Sequence, residues 1–376
     1  MSVSASPFRT VNRRPSCQAV PPQSTTLSVG RLFGRTLAAL ACVTALSACA
    51  TLAPAPLPLP DLNEAAALRD QVARHEAASV ERATELATKA SACGDCHSVA
   101  TGLAQGATQR LETIGGLWDP WPADAPQSLV EQPTPVAEAP LSPAAFAQWL
   151  EATARHDMTH ALIAHRGSPE VVTTEHAVPV LTLATARAIE AWDLAQVYGV
   201  DLNADAPQLG ALLERASQMA QGAEGSVHTQ WVLTPEDLSP TSSSDPEAFD
   251  KALREALSES SQAAQAVRTW DCVAQTLPHL DIAVEPLSNA RQYADALLTR
   301  STDMLAKGAS DERHLRCELE ASTASQLAQQ VLAADLAVAL SPSPEVSALG
   351  VELLLTDANQ WRGVISSADV LSLLSQ

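Results

Sequence analysis

Cys93-Gly94-Asp95-Cys96-His97 is the run of this sequence in which residue type and spacing together point to a defined chemistry. Two cysteines three positions apart sit on one side of a helical turn, so their sulfurs can close on each other or add together to one bound group. The histidine that follows can turn its imidazole onto a metal held there. A thioredoxin-like redox pair would need a strand ahead of Cys93, and the sequence shows none. A second pair, His156 and His160, is four residues apart, which puts both rings on one helix face where they could bind a transition metal with Asp157 or His165 nearby.

Over its five residues the first run resembles the haem-attachment motif of cytochromes c. That resemblance implies haem c joined through thioethers at Cys93 and Cys96, with His97 as proximal ligand, in an electron carrier. The second axial ligand would come from the helix of His156, His160 and His165, because the first methionine downstream, Met158, falls within a helical pattern. The competing reading is a structural disulfide between Cys93 and Cys96 with no cofactor.

The compartment bears on that choice. Arg31 and Arg35 precede an apolar run of about 11 residues, Thr36 to Leu46, that ends in Leu46-Ser47-Ala48-Cys49. This is far short of the ~20 residues a permanent span needs, so it reads as a signal peptide over 1–48, with 1–28 a possible upstream extension. The ending resembles the lipobox of bacterial lipoproteins, which implies cleavage before Cys49 and a lipid on its sulfur. Four prolines between Pro54 and Pro60 then make 49–60 a stiff, extended tether. The expected location is extracytoplasmic, anchored by lipid to the outer face of the cytoplasmic membrane.

In an oxidising compartment an even set of cysteines is expected to pair. Beyond Cys17, Cys42 and Cys49 the chain has Cys93, Cys96, Cys272 and Cys317, enough for two disulfides. A Cys272–Cys317 bond would tie one helix end to another and close a loop of 46 residues. On the chain-entropy account that stabilises by up to about 4 kcal/mol.

The whole chain carries −20, and the five arginines of residues 1–48 have no acids beside them. The processed chain is therefore more negative still, a field that repels phosphate backbones and anionic lipid head groups. Nucleic acid is excluded as a partner on this ground; a protein or small molecule, and the membrane through its lipid, remain.

The elements that must position these residues are helices. Hydrophobic residues make up 46% of the chain, much of it alanine, and aromatics only 3%, a balance that favours helix over sheet. Apolar periodicity predicts helices over 61–92, 99–114 before Gly115-Gly116, 142–165 from a Ser142-Pro143 start, and 174–198 before Gly199, with Pro179 shortening the last. Others are expected over 207–221, 245–277, 288–307 before Gly308, 310–340 and 344–366. The Pro-rich stretch 117–141 reads as a loop, and β-like alternation occurs only around Val227 to Leu233. The expected fold is all-α, a multi-helix bundle stapled by disulfides. Its organisation is two helical regions, 61–221 and 245–376, separated by a Gly-, Ser- and Pro-rich connection over 222–244.

The loop Gly115 to Pro122 holds Trp118 and Trp121, whose rings either cap the bundle end or present flat faces to a partner. Trp192, Trp270 and Trp361 fall within helical patterns and read as core. The chain has no Gly-x-Ser-x-Gly elbow, no Ser-x-x-Lys with its companion motifs and no phosphate-cradling loop, so no catalytic residue is assigned and an enzyme is unsupported. In lipobox, Pro tether and Ala-rich composition the chain is similar to the helical lipoproteins of high-GC Gram-positive (actinobacterial) bacteria. That resemblance implies an extracytoplasmic location and a helical fold, and no activity.

Overall fold

Side chains that accept a hydrogen bond from the third residue onward set where helices begin. Asn63 Oδ1 accepts from Ala66 N at 2.8 Å, Ser142 Oγ from Ala145 N at 3.2 Å, Ser260 Oγ from Ala263 N at 3.1 Å and Thr323 Oγ1 from Gln326 N at 3.2 Å. Each fills one of the donors a helix start leaves open. Pro143 and Pro344 occupy the first helical position, where the missing N–H costs nothing.

The computed structural model describes residues 56–89, 94–122, 125–126, 129–202, 246–280, 290–317, 319, 321 and 323–375. Ten α-helices lie among them, and no strand. They are α1 (Glu64–Lys89), α2 (Cys96–Ile114), α3 (Pro143–Gly167), α4 (Thr174–Tyr198), α5 (Pro246–Glu259), α6 (Ser261–Thr276), α7 (Ala290–Ala306), α8 (Ala324–Ala339), α9 (Pro344–Trp361) and α10 (Ser367–Leu371). All belong to one compact unit, Pro58–Gln376. The expected leader, the lipobox with Cys49, Cys93, the 207–221 helix, the 222–244 connection and the alternation at Val227 to Leu233 lie outside the described residues.

Five expectations are corrected. Pro179 leaves α4 unshortened, the helix running on to Tyr198 before Gly199, whose φ of 64° ends it. The single helix expected over 245–277 is two, because the Ser260 cap restarts the chain. The helix expected from 310 begins only at Ala324, where Thr323 and Gln326 form a reciprocal capping box. Cys317 therefore sits in an irregular loop, and the Cys272–Cys317 disulfide, with Cα atoms 5.1 Å apart, ties that loop to α6 instead of joining two helices. The helix expected to 366 stops at Trp361, and Ser366 caps a separate α10.

α1 lies along α2 and α3 along α4, and these pairs close into a four-helix group. α6, α7, α8 and α9 form a second, with α5 against α9. α9 and α10 pack on α4, so both groups share one continuous apolar core. α4 is the helix around which this happens: from Ala177 to Ala195 nearly every side chain is buried, alanines giving neighbours close approach on all sides. Gly350 does the same at the α8–α9 crossing, where a Cβ would overlap the backbone of Ala339. Trp270 and Trp361 are buried as expected, and Trp192 nearly so. Among the described residues no helix is long and apolar enough to cross a membrane.

Candidate functional site

Inside the first helix group, charged side chains from all four helices meet on a line of alternating sign. At its outer end His75 of α1 places Nδ1 2.9 and 3.0 Å from the two oxygens of Asp157 on α3. Arg187 of α4 donates through Nη1 to Asp157 at 2.7 Å and through Nε and Nη2 to Glu76 of α1 at 2.9 and 2.6 Å. Arg110 of α2 donates to the other Glu76 oxygen at 2.9 Å and to Glu190 of α4 at 2.7 Å. Glu190 also accepts from the Ser367 hydroxyl at the start of α10. Glu76, Arg110, Asp157 and Arg187 are completely buried.

A charge this deep persists only when it is paired, and the guanidinium forks of Arg110 and Arg187 each reach two carboxylates. Burial alone would raise the Asp157 carboxyl, but the charges of His75 and Arg187 and the bonds from His156 and His75 outweigh it and hold it well below the ordinary carboxylate range. Glu190 goes the other way: burial pushes it up against the pull of Arg110. Gly106 makes room for it, since a Cβ on that turn of α2 would overlap the Glu190 carboxylate.

The outer end is where this line meets solvent. His75 and His156 keep 23% and 12% of their side chains exposed, and the His75 ring stands edge-on to Trp149 at 5.9 Å. Gln71 organises the histidines. Its amide nitrogen donates to Asp157 Oδ1 and lies beside His156 Nδ1, each at 2.9 Å, and its amide oxygen lies 3.0 Å from His160 Nδ1, which therefore carries the proton. Burial, with His156 alongside, pushes His160 down to about 4, so it is neutral across the physiological range. The His75 ring is thus fixed by a carboxylate through Nδ1 at the partly exposed end of the line.

His156 and His160 thus share a face as their spacing predicts, with ring centroids 6.2 Å apart. His165 does not join them and bonds instead to the Val172 carbonyl at 2.7 Å. Among the described residues no three His, Cys, Asp or Glu side chains are placed to hold a metal ion. What the sequence reading missed is everything that meets the pair from α1, α2 and α4. A signal for it exists: Arg187 and Glu190 sit three apart within the Ala- and Leu-rich stretch of α4 from Ala177 to Trp192, a place a charge occupies only with partners.

Of the Cys-x-x-Cys-His run, Cys96 opens α2, is buried and is disulfide-bonded. A sulfur in that state has no thiol to add across a vinyl group, so haem attachment requires the bond to be reduced first. His97 is exposed, with Nδ1 2.9 Å from the Ala87 carbonyl, which turns its other nitrogen outward. Trp118 and Trp121 are half-buried; Trp121 Nε1 donates to the Glu131 carbonyl at 2.7 Å, folding its ring back onto the loop.

The second helix group has its own buried polar cluster. Asp335 of α8 accepts from Trp270 Nε1 of α6 at 3.0 Å, and Asp357 of α9 is gripped by both Nη atoms of Arg300 on α7. The Arg300 guanidinium also lies over the Trp270 ring, 5.3 Å from its centroid. Both carboxyls are completely buried. Comparison with family models, with curated proteins and with solved structures finds no match to this chain.

Proposed function

We propose that the chain is a lipid-anchored protein of the outer face of the cytoplasmic membrane whose helical body binds a protein or small-molecule partner there. The observation that carries this is the sequence Leu46-Ser47-Ala48-Cys49 closing a short apolar run behind Arg31 and Arg35. The prolines that follow Cys49 suit a spacer between membrane and body. Within the body, the partly exposed His75, His156 and Trp149 form a polar and aromatic contact point held rigid from behind by buried ion pairs. Rigid side chains lose little entropy on binding.

The test is expression of the full chain in a lipoprotein-processing host supplied with a labelled fatty acid. The parent is expected to carry label and to partition with membranes, and Cys49→Ser to carry none. Label on Cys49→Ser, or a parent whose mass retains residues 1–48, overturns the anchor. If the anchor stands, replacing His75 and Trp149 with alanine is expected to weaken partner binding without lowering thermal stability by more than about 1–2 kcal/mol.

A second reading, the monohaem carrier using Cys93, Cys96 and His97, draws on the outward-facing His97 nitrogen. It predicts a Soret band and a mass gain of one haem on export in a host with haem-maturation machinery. A colourless protein removes that reading.

A further inference from the structure

Asp335 and Asp357 bring two carboxyl groups into a seam that offers one cation. Arg300 spends both Nη atoms on Asp357. Asp335 Oδ1 takes the Trp270 N–H, while its Oδ2 is buried with no donor pointing at it. Trp270 holds Asp335, and Arg300, lying over that same Trp270 ring, holds Asp357, so the two carboxyls are neighbours in the seam. Two carboxylates can only accept, so such a contact bonds only when one of them carries a proton.

Among the described residues the surroundings supply no other charge to balance a second anion. On α6, Asp271 is bonded to Gln275, and Arg268 is exposed. On α7, Asp303 and Lys307 are exposed. On α9, Glu345 takes the Ser343 hydroxyl, and on α10, Asp369 is occupied in its own cap. Arg300 therefore faces the pair alone.

We propose that Asp335 and Asp357 share one proton in the folded protein, and that this makes the seam of α6, α7, α8 and α9 a proton-operated latch, tight when the proton is present and loosened when it leaves. Burial, the neighbouring Asp357 charge and the carboxyl–carboxyl bond all push Asp335 well above the usual carboxylate range, against the pull of Arg300 and Trp270. An unfolded Asp335 loses its proton near pH 4, so between there and the folded value the native state holds one proton more. The latch therefore contributes fully in acid and is lost as pH rises through the folded value.

Infrared spectra of the full-length protein test the shared proton directly. A carboxylic-acid C=O band that persists at neutral pH, shifts with 13C-labelled aspartate and vanishes in Asp335→Asn is expected. An Asp335→Asn amide can donate to Asp357 and accept from Trp270 as the acid does. It is expected to melt higher than the parent once the pH has passed the folded value of Asp335 and to flatten the fall in melting temperature as pH rises. A parent with no such band at neutral pH overturns the proposal even if the variant fails to fold. So does a folded Asp335→Asn whose pH profile matches the parent's.

Discussion

The two helix groups bury the same kinds of side chain and arrive at opposite responses to acid. In the first, two guanidiniums and a partly exposed imidazole face Glu76, Asp157 and Glu190, and Asp157 is held ionised. In the second, one guanidinium faces two carboxyls and Asp335 is held neutral. The chemistry of the acids is alike. What differs is how much cation each cluster has within reach, and that ratio decides whether protons loosen or tighten the packing.

Removing a cation probes this difference most strongly. Arg187→Met strips Asp157 and Glu76 of the group between them and is expected to cost about 3–5 kcal/mol, read from urea unfolding at pH 7. Arg300→Met is expected to cost clearly less, since Asp335 is already neutral and only Asp357 is left uncompensated. Equal losses would mean the two clusters are not differently charged.

The Cys272–Cys317 disulfide belongs to the second group. Cys272→Ser with Cys317→Ser is expected to lower stability by up to about 4 kcal/mol on the chain-entropy account. The loss should appear in unfolding of the second group, followed through hydrogen exchange of α6 to α9, with the α1–α4 amides less affected. Uniform loss would show the shared core makes the groups one cooperative unit.

Acid gives the third test. His160 is pushed from 6.5 to about 4 on folding, so its neutral form contributes stability that is complete above the unfolded value and is lost as pH falls toward the folded one. The loss is roughly 3 kcal/mol at the low end. Asp157, whose folded value lies below its unfolded one, adds a further loss in stronger acid. His160→Gln is expected to remove the dependence between about pH 6.5 and 4 while leaving the Asp335 response, which has the opposite sign, in place.

Gly350→Ala should show a smaller effect, about 1–3 kcal/mol from forced separation of α8 and α9, measured as a lowered melting temperature. Gly106→Ala displaces a carboxylate end and not a backbone, so it can relax, and is expected to cost less.

Most helices were legible because their starts are written in single residues. Ser142-Pro143, Thr174 to Gly199 and Gly308 announce themselves through caps and breakers. Ser260 was not legible as a break, because serine in a helical pattern is as often an exposed interior residue as a cap. The segment before Ala324 was misread for a related reason: its composition suits a helix, and only the cross-link at Cys317 and the Thr323 capping box show where the loop ends. The histidine pair was visible from its four-residue spacing. Its partners were not, because Gln71 and His75 approach from a helix more than eighty residues earlier, a distance over which periodicity carries no information.

The start of the folded body also determines how it bears load. Leu59 N donates to Glu131 at 3.2 Å on the surface, and the Asn63 cap follows within one turn. A pull applied at Leu59 meets that exposed hydrogen bond first, a clip that yields and reforms cheaply. Beyond it the force enters α1 along its axis, and α1 lies against α2, cross-linked to α3 and α4 by buried Glu76 and partly exposed His75. Further extension must shear those contacts together instead of peeling them one at a time, so the body is built to resist traction from its N-terminal side.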